Sequence, residues 1–172
     1  GDVYYQAASI NSHDRQVFVA HKNGKAERLT GKEGWNDAVF SGDFQYFINM
    51  WSDYATPYQY EVVTNTGKKV LTLEQNAALR QLAKEYGFAA RDPFSFVTTD
   101  GTKLDGWMVK PLDFDASKRY PVIMYQYSGP GSQQVKNCWS AGSMGQGGAF
   151  DSYLAQQGFI VVCVDGRGTG GR

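Results

Sequence analysis

Two short apolar runs limit what this chain can fold into. Val122–Tyr127 and Phe159–Val164 are each long enough for one strand, and a glycine- and glutamine-rich loop followed by a helical pattern, Ala149–Gln157, lies between them. Strands joined through a helix run parallel, because a parallel pair needs a crossover of a dozen or more residues. Phe159-Ile-Val-Val-Cys-Val164 shows no polar alternation, which fits a strand covered on both faces. Val122–Tyr127 reads the same way, as one buried strand, and Ser128-Gly-Pro-Gly131 stops it with turn residues. Tyr127 therefore stands at the carboxyl end of a strand and opens a loop. Open α/β sheets gather their chemistry at such places.

The first 73 residues follow a different rule. Val3–Ala8, Gln16–His21, Ala26–Thr30, Asp37–Phe40, Phe44–Trp51, Tyr58–Thr64 and Lys69–Leu73 are short runs rich in Tyr, Phe, Val and Trp, separated by turn signals such as Asn23-Gly24 and Thr66-Gly67. A shift of 43 residues places Ser9 on Ser52, Gln16 on Gln59, Val19 on Val62, Gly24 on Gly67 and Lys25 on Lys68. A repeat of this length with four strands per unit is the signature of a propeller blade, and an ordinary small antiparallel sheet is the plainer alternative. Glu74–Tyr86 changes period, with Leu79, Leu82 and Ala83 on one helical stripe and Gly87 as its stop. Arg91-Asp-Pro93 breaks the chain, and Phe94–Thr99 and Leu104–Lys110 are two further strands around Asp100-Gly101. The expected organisation is antiparallel strands over 1–73, a linker helix over 74–93 and an α/β layer over 94–172, cut short in mid-loop.

Composition excludes several classes. Lys+Arg and Asp+Glu are both 17, so no basic footprint for nucleic acid stands out. No run of about 18 apolar residues occurs, so no transmembrane helix is expected. Cys138 and Cys163 make no disulfide framework, and two Cys with two His in unrelated spacing fit no structural zinc. His13 and His21 have no metal spacing and no evident acidic partner, and read as surface or loop histidines. Asp165 and Arg167 read as a local ion pair that shapes their loop.

Two motifs imitate active sites. Ala141-Gly-Ser-Met-Gly145 resembles a nucleophile elbow, but no convincing strand delivers Ser143, and no histidine follows His21 to complete a triad. Gly166-Arg-Gly-Thr-Gly-Gly171 fits the dinucleotide fingerprint after a strand, but without the helix and the later acid that the fingerprint requires it reads as a glycine-rich turn against the sheet. Tyr127 is left. Its hydroxyl at a strand end can donate to a developing oxyanion, or its ring can be a wedge in the core.

Three motifs, in order and at matching spacing, carry a resemblance. Lys118-Arg-Tyr-Pro-Val122, then Tyr127-Ser-Gly-Pro130 with Ser132-Gln133, then Val164-Asp-Gly-Arg-Gly-Thr-Gly170 are similar to the dipeptidyl peptidase IV family of the prolyl oligopeptidase class. The resemblance implies the last strands of a β-propeller followed by the first part of an α/β-hydrolase domain. It implies that Tyr127 is the oxyanion-hole tyrosine of a serine exopeptidase that releases amino-terminal dipeptides after proline or alanine. It implies a peptide substrate, no metal or organic cofactor, and a parent chain that is homodimeric and periplasmic or in the cell envelope. The family's nucleophile motif, acid and histidine have no counterpart here, so the segment is expected to be inactive alone. The loop Ser140–Gly148 matches no family pattern. The second reading is a non-catalytic binding module of the same fold, whose aromatics Tyr4, Tyr5, Trp35, Trp51 and Tyr54 would meet a partner.

Overall fold

The computed structural model describes residues 1–127, 129–139 and 148–170. Ser143 and the elbow-like motif around it lie outside these residues, as does Gly171. The contacts divide the chain into two compact units, Gly1–Ala77 with Asn137–Trp139, and Ala78–Lys136 with residues 148–170.

The first unit holds seven strands in two antiparallel sheets. Strands β1 (Val3–Ala7), β2 (Gln16–Ala20) and β3 (Ala26–Arg28) form one, and β4 (Trp35–Phe40), β5 (Tyr46–Ser52), β6 (Gln59–Thr64) and β7 (Lys69–Glu74) form the other, both in sequence order. Sequential antiparallel pairing follows from the tight turns. At Asn23-Gly24 the amide of His21 donates to the Lys25 carbonyl at 2.8 Å and Gly24 donates to His21 at 2.9 Å. The same two bonds recur from Thr64 to Lys68 at 2.9 Å and from Gly67 to Thr64 at 2.9 Å, with Gly24 at φ 83° and Gly67 at φ 82°. The 43-residue repeat is thus structural to the residue: β1, β2 and β3 begin at Val3, Gln16 and Ala26, and β5, β6 and β7 at Tyr46, Gln59 and Lys69. Strand alternation sends Val17 and Val19 inward, where they meet Leu29, Phe47 and Val63 in one buried cluster lined by Tyr4, Ala38 and Phe40. Each buried valine contributes roughly 1.5–3 kcal/mol relative to an exposed one.

A polar seam lies beside that cluster. Thr30 donates to Gln16 Oε1 at 3.0 Å, Asn36 Nδ2 donates to the same oxygen at 3.2 Å, and Asn49 Nδ2 donates to Asn36 Oδ1 at 3.2 Å. All four residues are buried, which hydrogen bonding makes tolerable.

In the second unit, helix α1 (Ala77–Glu85) ends at Gly87, φ 65°, where Phe88 donates to Ala83 and Gly87 to Lys84. That is the glycine-terminated stop expected of the sequence. Strands β8 (Asp92–Val97), β9 (Lys103–Val109), β10 (Val122–Tyr125) and β11 (Ile160–Val164) form one sheet in the order β10-β11-β9-β8. The pairs β8/β9 and β9/β11 are antiparallel; β10/β11 is parallel, joined through helix α2 (Gly148–Gln156). Helix α2 packs on β11 and β9 and stops at Gly158, φ 87°.

Two expectations need correction. Pro93 does not break the chain but lies inside β8, pairing with Trp107. A strand accepts proline when it borders the sheet, because the missing N–H then faces no partner, and β8 is a border strand. Val122–Tyr127 is not a strand buried on both faces: it pairs only to Tyr125, and Val122 and Met124 are 60% and 56% exposed. The run borders its sheet, and among the described residues nothing covers that face. β11 meets the expectation of burial in part: Val161 and Cys163 on one face are fully enclosed, while Ile160 and Val162 on the other are half-buried.

Candidate functional site

Tyr127 follows β10 by two residues and is 65% exposed, so it is not a core wedge. Its ring lies over Gly129: a Cβ there would fall 2.6 Å from Tyr127 Cε1. The motif needs glycine at that place because any side chain would displace the ring.

The loop beyond Tyr127 is held by its own residues and by the segment after β11. Ser132 donates to the Gly129 carbonyl at 3.0 Å, and Gly131 donates to the Gly168 carbonyl at 3.1 Å. Gln134 uses every polar group it has. Its amide donates to Asp165 Oδ1 at 3.0 Å, its carbonyl accepts from Trp107 Nε1 at 3.3 Å, its Oε1 accepts from Tyr125 Oη at 3.1 Å, and its Nε2 donates to Ser132 Oγ at 3.0 Å. Val135, 1% exposed, donates its amide to Asp165 Oδ2 at 2.8 Å. Burial pushes the Tyr125 hydroxyl above its ordinary range, which keeps it a donor toward Gln134.

The expected Asp165–Arg167 pair is therefore wrong. Asp165 is buried and faces backbone amides, while Arg167 pairs with Asp100. The glycine-rich stretch after Asp165 lies along the Tyr127 loop, with Gly170 packed on the Gly131 carbonyl. That matches the reading of a turn beside the sheet.

A second buried constellation escaped sequence reasoning. Arg91 and Asp151, 5% and 1% exposed, form an ion pair at 2.8 Å, and the Arg91 guanidinium lies 4.2 Å from the Trp107 ring centroid. Burial raises the Asp151 carboxyl above its usual value despite the lowering by Arg91. Cys163 is pushed up to about 12, by burial first and then by Asp165. It is an inert thiol. The sixty positions between Arg91 and Asp151 leave no local signal of this pair.

The histidines carry one more correction. His21 has an acidic partner after all: its Nδ1 lies 2.9 Å from Asp2 Oδ2. His13 meets Tyr54 in a tilted ring contact, centroids 6.0 Å apart. Among the described residues no cluster of His, Cys, Asp or Glu is arranged to hold a metal ion, and no helix is long and apolar enough to cross a membrane. Of the five aromatics offered to a partner, only Tyr5 is exposed, at 39%. Trp35 lies under Arg15, Trp51 under Lys32, and Tyr4 packs on Phe40 and Phe44.

Comparison with known proteins is consistent across the chain. A family model for the dipeptidyl peptidase IV (DPP IV) N-terminal region matches residues 1–58. The structure of Porphyromonas gingivalis dipeptidyl peptidase 4 superposes with a TM-score of 0.89 at 42% identity, over 99% of this chain and 23% of that one. The chain matches a segment of the dipeptidyl peptidase IV family. Other relatives of the family agree. A probable dipeptidyl-aminopeptidase B of Podospora anserina is 35% identical over 98% of this chain, and a dipeptidyl-aminopeptidase B of Aspergillus niger is 34% identical over 99%. A putative dipeptidyl aminopeptidase IV from Bacteroides ovatus superposes at TM-score 0.77 with 28% identity, over 92% of this chain and 22% of that one. The chain spans about a fifth of these relatives' length, 18% and 19% of the two fungal proteins. The mostly antiparallel sheets of the first unit match the N-terminal region of a dipeptidyl peptidase IV family member.

Proposed function

We propose that this chain is a segment of a serine exopeptidase that releases Xaa-Pro and Xaa-Ala dipeptides from peptide amino ends, and that Tyr127 is its oxyanion donor. In this reading residues 1–73 are the last strands of a β-propeller, 74–93 a linker, and 94–172 the first part of an α/β-hydrolase domain. The four-stranded β4–β7 sheet, whose last three strands repeat the register of β1–β3, supports the blade reading. The order β8-β9-β11-β10, with antiparallel pairs leading into a parallel one, supports the hydrolase reading. The names of the relatives support a peptidase parent.

One observation carries the role of Tyr127. It is an exposed tyrosine two residues past the carboxyl end of β10, a strand that runs parallel to β11. A serine attacking a scissile amide turns the carbonyl oxygen into an oxyanion. A phenol O–H that reaches that oxygen gives its strongest hydrogen bond when the charge has formed, so it lowers the barrier rather than merely binding substrate. In this reading nucleophile, acid and histidine come from the remainder of the parent, and these residues alone do not turn over substrate.

The test is hydrolysis of Gly-Pro-p-nitroanilide by the parent chain extended past Arg172, with Tyr127→Phe beside it. The phenylalanine variant should lose roughly 100- to 1000-fold in kcat. Hydrolysis indifferent to the substitution would remove Tyr127 from the chemistry. A folded parent that hydrolyses nothing would replace the enzyme with the binding-module reading.

A further inference from the structure

We propose that Asp165 is a positioning residue for Tyr127, acting through the loop that both segments share; this rests on the oxyanion role of Tyr127. Asp165 is 3% exposed and follows the last residue of β11. Its own amide donates to the Asp105 carbonyl at 3.1 Å, which ties it to β9. Its carboxylate has no cation in contact among the described residues. It accepts instead from two successive backbone amides: Gln134 N–H at 3.0 and 3.1 Å to the two oxygens, and Val135 N–H at 2.8 Å. A buried charge with only amide partners is costly unless the partners are held in place, so each side fixes the other.

The clamp reaches Tyr127 through a short relay. Gln134, held by Asp165 and Trp107, donates to Ser132; Ser132 donates to the Gly129 carbonyl; Gly129 carries the Tyr127 ring on its bare Cα. Tyr125, on the strand side, closes the circuit through its bond to Gln134. Both ends of the loop are thereby anchored on β9, β10 and β11. A donor on an exposed loop keeps a fixed aim only if the loop is anchored, and an error of about 1 Å costs on the order of 100-fold in rate. Arg167 is free to serve Asp100 because Asp165 does not need it.

The experiment is a double-mutant cycle in the parent chain with Gly-Pro-p-nitroanilide. Asp165→Asn keeps the shape but turns an amide N–H₂ toward backbone N–H groups. Its kcat should fall roughly 10- to 100-fold with KM within about twofold, because the lost aim matters only when the oxyanion forms. In the Tyr127→Phe background the same substitution should cost less than about twofold. An equal loss in both backgrounds, or a rise in KM at constant kcat, overturns the proposal while leaving the peptidase intact. A Tyr127→Phe variant as fast as the parent sinks the tyrosine's role, and this one with it. Should Asp165→Asn not fold, Tyr125→Phe removes one bond of the same clamp. It should lose kcat a few-fold in the parent and nothing in Tyr127→Phe. Hydrogen exchange of the Gln134 and Val135 amides in the unmodified parent then adds an independent readout: protection like that of β11 is expected, and exchange as fast as an open loop would refute the clamp.

Discussion

Single atoms decide several positions. A Cβ at Gly106 would lie 2.5 Å from Phe94 Cζ and 2.6 Å from the Cys163 carbonyl oxygen. The second of these is backbone in a paired strand and cannot give way. Gly106→Ala should cost roughly 1–3 kcal/mol, read as a lowered Tm of the parent, and an unchanged Tm would contradict the packing described. Gly129 is the opposite case, since the atom a new Cβ meets belongs to an exposed ring that can swing aside. Gly129→Ala should leave stability within about 0.5 kcal/mol while lowering kcat at least roughly tenfold, and a fully active alanine variant would show that the ring's place is immaterial. Cys163 tests burial by titration. Its thiol is raised to about 12 in the fold against an ordinary value near 9, so the folded state holds the proton that the unfolded chain gives up. The stability this represents is complete below pH 9 and is lost as pH rises toward 12. Native protein at pH 9 should resist iodoacetamide at Cys163 and react once unfolded; rapid native alkylation would mean an open site.

At the level of elements, β11 and α2 hold the second unit together, and Arg91 and Asp151 tie the segment before β8 to the start of α2. Removing one partner leaves the other charged and enclosed. Arg91→Met should therefore destabilise the parent by about 3–5 kcal/mol, far more than an exposed ion pair such as Lys25–Glu27 would. Joint replacement of Arg91 and Asp151 by apolar residues should recover much of that loss. If the single and double variants unfold at the same denaturant concentration, the pair is not coupled. Most of the elements themselves were legible. Turn residues at Asn23-Gly24, Thr66-Gly67 and Asp100-Gly101 gave three hairpins, each with glycine near φ 83°, and Gly87 and Gly158 stopped both helices. Pro93 was misread because a proline says only that an N–H is missing. Whether that matters depends on whether the strand lies at a border, which is a property of the sheet.

On the scale of the whole chain, two border strands are apolar on their open sides. Val70, Leu71 and Leu73 of β7 and Val122 and Met124 of β10 are 49–60% exposed. Such faces associate when nothing covers them. The 172 residues expressed alone should bind a hydrophobic dye and elute as polydisperse aggregates, whereas the parent should neither bind the dye nor aggregate; a monodisperse, dye-free 172-residue chain would refute this. What the sequence determined by itself is local: strand periods, the 43-residue register, turn and helix stops, and the tyrosine at the end of an apolar run. These are set by backbone sterics and by alternation between neighbours. Tertiary structure alone decided that Asp165 faces the amides of Gln134 and Val135 rather than Arg167, that Arg91 meets Asp151, and that Tyr127 lies open on Gly129. The first two join distant residues through the packing of the sheet, and a carboxylate's best partner there is whichever donor the sheet delivers, not the nearest cation along the chain.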